Sequence, residues 1–185
     1  EEVNSKNAAM HAPLIPVIPE VLMENSVRKE YPAYYSAYDI ILGFDYATLQ
    51  PKRICLSGLN LIVSGVPDSG KGNFTKYIIS CLERGRSNAP TEIVIFDRAS
   101  IKKFESIAQT YTVVSRYEMS STNMAVICQE WKAELELRKQ LVLSHNGDMS
   151  VLHDKPLLLM ICEDSSKDLL DGFDESLFKY LPYKF

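Results

Sequence analysis

Leu61-Ile62-Val63-Ser64-Gly65-Val66-Pro67-Asp68-Ser69-Gly70-Lys71-Gly72 is the stretch on which the reading of this chain turns. Its last eight residues follow the pattern G-x-x-x-x-G-K, with Gly72 where Ser or Thr ordinarily comes next. The spacing has a mechanical basis. Glycines let a loop wrap closely enough to aim backbone N–H groups at phosphate oxygens. A helix starting near Gly70 turns its positive N-terminal end toward the same anion, and Lys71 is placed to reach the β- and γ-phosphates. Gly65, Asp68, Ser69, Gly70, Lys71, Gly72 and Asn73 are therefore the candidate nucleotide-contacting residues. The apolar run Asn60 to Gly65 reads as a buried strand, set off from a strand over Arg53 to Ser57 by a turn at Gly58. Lys71 to Arg84 has helical periodicity and stops at Gly85 and Pro90.

The same stretch raises a difficulty for metal binding. Gly72 lacks the hydroxyl that usually coordinates Mg²⁺ beside the phosphates. Asn73 offers an amide oxygen in a different direction, and Thr75 lies a full turn further on. Asp68 puts an anionic side chain near any triphosphate, although Asp also tolerates the left-handed backbone such a loop uses. The second site element is Pro156-Leu-Leu-Leu-Met-Ile161-Cys162-Glu163-Asp164, an apolar strand running into acidic residues. That is the place for one carboxylate on Mg²⁺ and one to polarise water. In one register Cys162 replaces the metal-side Asp and Glu163 is the catalytic carboxylate. In the other, Glu163 and Asp164 fill the two roles in reversed order, with Asp164 as the metal candidate. The first is preferred, because the apolar run extends to Ile161. Acidic residues in a solvated turn after a strand are the plain alternative.

Outward from these motifs the chain alternates strand and helix. Glu92 to Asp97 reads as a buried strand, Ile101 to Gln109 as a short helix, and Tyr111 to Arg116 as a strand. Ser120 to Leu143 carries Met124, Ile127, Cys128, Trp131, Leu135 and Val142 at helical spacing. Leu157 to Cys162 is again a strand, and Leu169 to Leu181 a helix. Continuous apolar strands separated by helices predict a mainly parallel sheet covered on both faces, the three-layer α/β arrangement of RecA-like P-loop domains. Residues 1–38 read as a tail followed by a proline-rich linker (Pro13, Pro16 and Pro19 force extended backbone), and 39–185 as the domain. Asp97, at a strand end, reads as a turn or cap residue, and Trp131 as core.

Composition narrows the class. The chain has 185 residues, 46% hydrophobic and 24% charged, with a net charge of −4. A surface that tracks nucleic acid usually carries basic excess, so no nucleic-acid partner is expected. No apolar run approaches the roughly 20 residues of a membrane span. Cys55, Cys81, Cys128 and Cys162 form no CxxC pair and read as buried thiols. His11, His145 and His153 share no metal-ligand spacing.

Together these residues resemble the FtsK/SpoIIIE-type ATPases, and within them the tandem ATPase domains of EssC-type motors of type VII secretion. The resemblance runs from about Leu14 onward: the Ile15-Pro-Val-Ile-Pro-Glu20 linker, the Leu42-Gly-Phe-Asp45 lead-in, the loop at 65–72, the strand Ile93 to Asp97 and the strand 157–164. It implies a C-terminal (third) ATPase domain with degenerate motifs, engaging secreted substrates or regulating the motor. The partners it implies are the sister ATPase domains and secreted proteins, in a homo-hexamer on the cytoplasmic side of the bacterial membrane. ATP and Mg²⁺ are the implied cofactors, with binding expected to be weak or absent given Gly72 and Cys162. Family members continue past the second motif with a strand that lies between the two motif strands. By that resemblance the sheet is expected to be incomplete after Phe185.

Overall fold

The computed structural model describes Val21, residues 23–32, Ser36, and residues 38–163 and 170–185. His11, the proline stretch, Tyr34, Tyr35 and Asp164 lie outside the described residues. The chain divides into two units, one of Glu1–Tyr34 with Ile41–Arg53 and one of Tyr35–Ile40 with Ile54–Phe185.

The smaller unit contains a helix, α1 (Glu24–Glu30), inside the region expected to be linker. Its ends explain it: Glu24 sits in the first turn and Arg28 and Lys29 in the last, complementing the helix dipole. Arg28 also donates to Glu24 at 2.8 Å, one turn back. Strands β1 (Asp39–Phe44) and β2 (Pro51–Cys55) pair with each other, β2 lying two residues earlier than its sequence pattern suggests. The turn joining them is organised by Asp45. Its carboxylate accepts from Ala47 N, Thr48 N and the Thr48 hydroxyl, at 3.1, 2.8 and 2.9 Å.

The larger unit is a three-layer α/β structure. Its sheet has the order β4-β3-β5, all parallel, from β3 (Thr91–Phe96), β4 (Val114–Glu118) and β5 (Leu157–Cys162). Strand alternation sends Ile93, Ile95 and Leu157 to one face, where they pack with Ile78, Ile79 and Leu82 of α2 (Lys71–Gly85) and with Phe104. Val94, Phe96 and Leu158 face the other way, onto Met124, Ile127, Trp131 and Leu135 of α4 (Ser121–Ser144). Each fully buried side chain of this kind contributes roughly 1.5–3 kcal/mol, so the two cores hold the sheet from both sides. The connection from β3 to β4 passes through α3 (Glu105–Thr110), and that from β4 to β5 through α4. These crossovers move in opposite directions along the sheet, so the right-handed rule requires their helices on opposite faces.

Two stretches differ locally from the sequence pattern. The expected helix Ile101–Gln109 is shortened to α3 because Lys102 adopts φ +48°, outside helical space. Of the expected helix Leu169–Leu181, Leu169 lies outside the described residues, and Glu175–Tyr183 is a 3₁₀ stretch that contains Pro182, which lacks the N–H to carry an α-helical ladder onward. This stretch is pinned by Arg138 of α4, a buried arginine. It donates to Glu134 at 2.9 Å and to the Pro156, Tyr183 and Lys184 carbonyls at 2.8, 3.4 and 3.3 Å. Cys81 and Cys128 are buried thiols as expected, whereas Cys55 and Cys162 are exposed.

Candidate functional site

The C-terminal ends of parallel strands are where ligands bind in open α/β sheets. Here that edge gathers Asp97 after β3, Glu163 after β5 and the N-terminus of α2. Asp97 is buried and fully committed. Its carboxylate accepts from Arg98 N at 2.7 Å, Phe104 N at 2.9 Å and the Tyr117 hydroxyl at 2.8 Å. It is a cap for the loop leaving β3, as its residue type suggested. Burial, reinforced by the hydrogen bond to Asp97, raises the Tyr117 hydroxyl well above its ordinary value and keeps it a donor.

Gly65 to Lys71 forms a turn closed on itself. Asp68 is left-handed at φ +60° and Gly70 at φ +88°, which places the one residue type without a Cβ immediately before α2. Lys71 Nζ donates to the Gly65 and Val66 carbonyls at 2.8 and 2.7 Å, and Ser69 N donates to Val66 O at 3.3 Å. The strand expected to carry this loop does not form. Leu59 to Gly70 is exposed throughout, with Leu61 and Val63 each 41% and Ile62 84% accessible. The run has no hydrogen-bonded strand neighbour among the described residues, and a strand needs a partner for its backbone groups. Near its start Gly58 N donates to Phe185 O at 3.3 Å, while Leu158 N of β5 donates to Lys184 O at 3.0 Å. The C-terminal residues thus lie between β5 and the beginning of the run.

Gly72, in the first turn of α2, is buried, and Asn73 beside it is exposed. The Thr75 hydroxyl donates to Lys71 O at 3.2 Å, so it is used within the helix. On β5 the two register candidates part company. Leu157, Leu159 and Ile161 belong to the α2 face and Leu158 and Met160 to the α4 face. Alternation therefore places Cys162 on the α4 side and Glu163 on the α2 side. Desolvation, with Cys128 adding to it, pushes the Cys162 thiol up to about 12. The residue as a whole is exposed, but the surroundings of the sulfur decide that shift, and near neutral pH it is a protonated thiol.

One residue that the sequence did not single out joins these parts. Lys103 Nζ donates to Glu163 Oε1 in a part-buried ion pair. The same side chain lies against Gly72, where any Cβ would overlap Lys103 Cε and Nζ. The pair Lys102-Lys103 follows a strand end, which is a hint of location only; nothing in the pattern distinguishes 103 from 102. Among the described residues, the groups between α2 and β5 do not fit a divalent cation. Gly72 has no side-chain oxygen to offer, the adjacent space holds an ammonium, and Oε1 of Glu163 is engaged by it. Among the described residues no group of three or more His, Cys, Asp or Glu is placed to hold a metal ion.

No protein-family model matches the chain, and comparison with curated proteins gives no match. Among the described residues no helix is long and apolar enough to cross a membrane.

Proposed function

We propose that this chain is a P-loop ATPase-like domain of a type VII secretion motor whose phosphate loop binds Mg-ATP weakly or not at all. In this reading it serves substrate recognition or regulation of the motor from the cytoplasmic side of the membrane. The observation that carries the proposal is Lys71 behind a left-handed glycine, at the N-terminus of an amphipathic helix, followed by a Gly72 with no metal ligand. The loop keeps its means of meeting an anion and has lost its means of holding the accompanying metal. The sister ATPase domains and secreted proteins are the proposed partners, on the strength of the sequence resemblance. Calorimetry with Mg-ATP tests the proposal: absent or weak heats without turnover are expected, and micromolar binding with steady hydrolysis would sink it.

A second reading has one observation in its favour, the exposure of Asn73 in the first turn of α2. An active ATPase would use that amide and Glu163 with relaxed metal geometry. Lys71→Ala should then abolish hydrolysis by the assembled protein, and unchanged hydrolysis would eliminate this alternative.

A further inference from the structure

We propose that Lys103 is the resident cation of this site, standing between Gly72 and Glu163 where a P-loop domain keeps its metal, so that polyphosphate binds here without a divalent ion. Three observations converge on it. The ammonium is paired to the only described carboxylate that ends β5 on the α2 face. The space it uses exists because residue 72 has no side chain. The loop that delivers it is held in place rather than adaptable, because Phe104 is fully buried and its N–H is bonded to the buried Asp97 carboxylate at 2.9 Å.

The chemistry follows from charge and donor count. A polyphosphate seated on the N-terminus of α2 would meet Lys71 from the loop and Lys103 from the strand side. An ammonium has three donors, so Lys103 can serve a phosphate oxygen while keeping Glu163. A side chain at 72, as metal-dependent loops have, would overlap Lys103 Cε and Nζ and force the ammonium to move from its present place. Glycine at 72 and lysine at 103 are therefore complementary: the missing side chain leaves the space that the ammonium uses. The ligand class is a nucleoside di- or triphosphate bound metal-free. This inference rests on the phosphate-loop reading proposed above.

Binding of ATP is measured by calorimetry in excess EDTA and in excess Mg²⁺, with turnover followed in parallel. Wild-type protein is expected to bind at least as well in EDTA as in Mg²⁺. Lys103→Ala should weaken the EDTA affinity by about tenfold or more, the loss of one charge-assisted hydrogen bond. Gly72→Ser should weaken it comparably by expelling Lys103, and Lys103→Arg should retain most of it. Thermal unfolding of each variant identifies those that fold, and Lys103, being part-exposed, leaves no core cavity when truncated. Binding that requires Mg²⁺ but shows no turnover overturns this inference and leaves the proposed function standing, as does absence of binding in both conditions. Micromolar Mg-ATP binding with turnover overturns both. Full EDTA affinity in folded Lys103→Ala overturns the role of Lys103 alone.

Discussion

Strand β3 and the run Leu59 to Gly65 are close in composition and opposite in fate. Thr91-Glu-Ile-Val-Ile-Phe96 is paired on both edges, and Ile93 through Phe96 have no accessible surface. Leu59-Asn-Leu-Ile-Val63 carries as many apolar residues, yet Ile62 is 84% accessible and the run pairs with no strand among the described residues. An apolar run becomes a strand through its neighbours. Val94 and Ile95 have β4 on one side, β5 on the other, and a helix over each face. The earlier run has the helix α2 directly after it and no hydrogen-bonded strand beside it. Backbone groups without a ladder are left to solvent, and the side chains go with them.

The largest effect is expected in the buried strand. Ile95→Ala should cost about 2–5 kcal/mol in urea unfolding, since it empties a site in the core under α2. A cost below that range would mean the core collapses around the loss, and the contrast with the exposed run would weaken. Next comes the loop that leaves β3. Asp97→Ala removes the acceptor for Phe104 N and the Tyr117 hydroxyl, leaving buried donors unsatisfied at about 1–3 kcal/mol. It should also raise amide exchange through residues 98–104, which an isolated surface loop would not show.

A smaller effect is expected in acid. The Asp174 carboxylate is held at about 2 by hydrogen bonds from Lys132 of α4 and from Ser176. Its folded value lies below the ordinary 3.8, so the stabilisation is present above that value and is lost as pH falls through about 2. Asp174→Asn should flatten that part of the acid limb of a stability-versus-pH curve, while an unchanged limb would assign the loss to other carboxylates. The smallest effect is expected in the exposed run. Ile62→Ser should change stability by no more than about 0.5 kcal/mol, as for ordinary surface positions. A loss comparable with Ile95→Ala would show that the run is packed in solution.

Legibility followed the strength of the local signal. The long stripe of α4 was readable to within one residue at each end, because Met124, Ile127, Trp131 and Leu135 repeat at helical spacing over about three turns. Strand β5 coincides with its apolar run. β4 begins three residues later than its pattern, because the segment before it is tied to α2: Glu83 accepts from Val113 N at 3.0 Å and from Thr112 Oγ1 at 3.1 Å. In the candidate site, the tight turn at Asp68 and Gly70 was legible, since those residue types tolerate positive φ. Lys103 was not. Its importance comes from meeting Gly72 and Glu163, 31 and 60 positions away in sequence.

By itself the sequence determined the alternation of apolar strands with amphipathic helices, the glycine turn before Lys71 and the absence of a hydroxyl at position 72. Each is a property of neighbouring residues and follows from local periodicity or from one residue's own chemistry. Tertiary structure alone decided which apolar runs became strands, which face of β5 received Cys162 and Glu163, and which cation stands beside Gly72. Those outcomes depend on a hydrogen-bonding neighbour, on the alternation of a strand between two cores and on a close contact across the sheet edge. No local pattern encodes them, because the partner in each case arrives from a distant part of the chain.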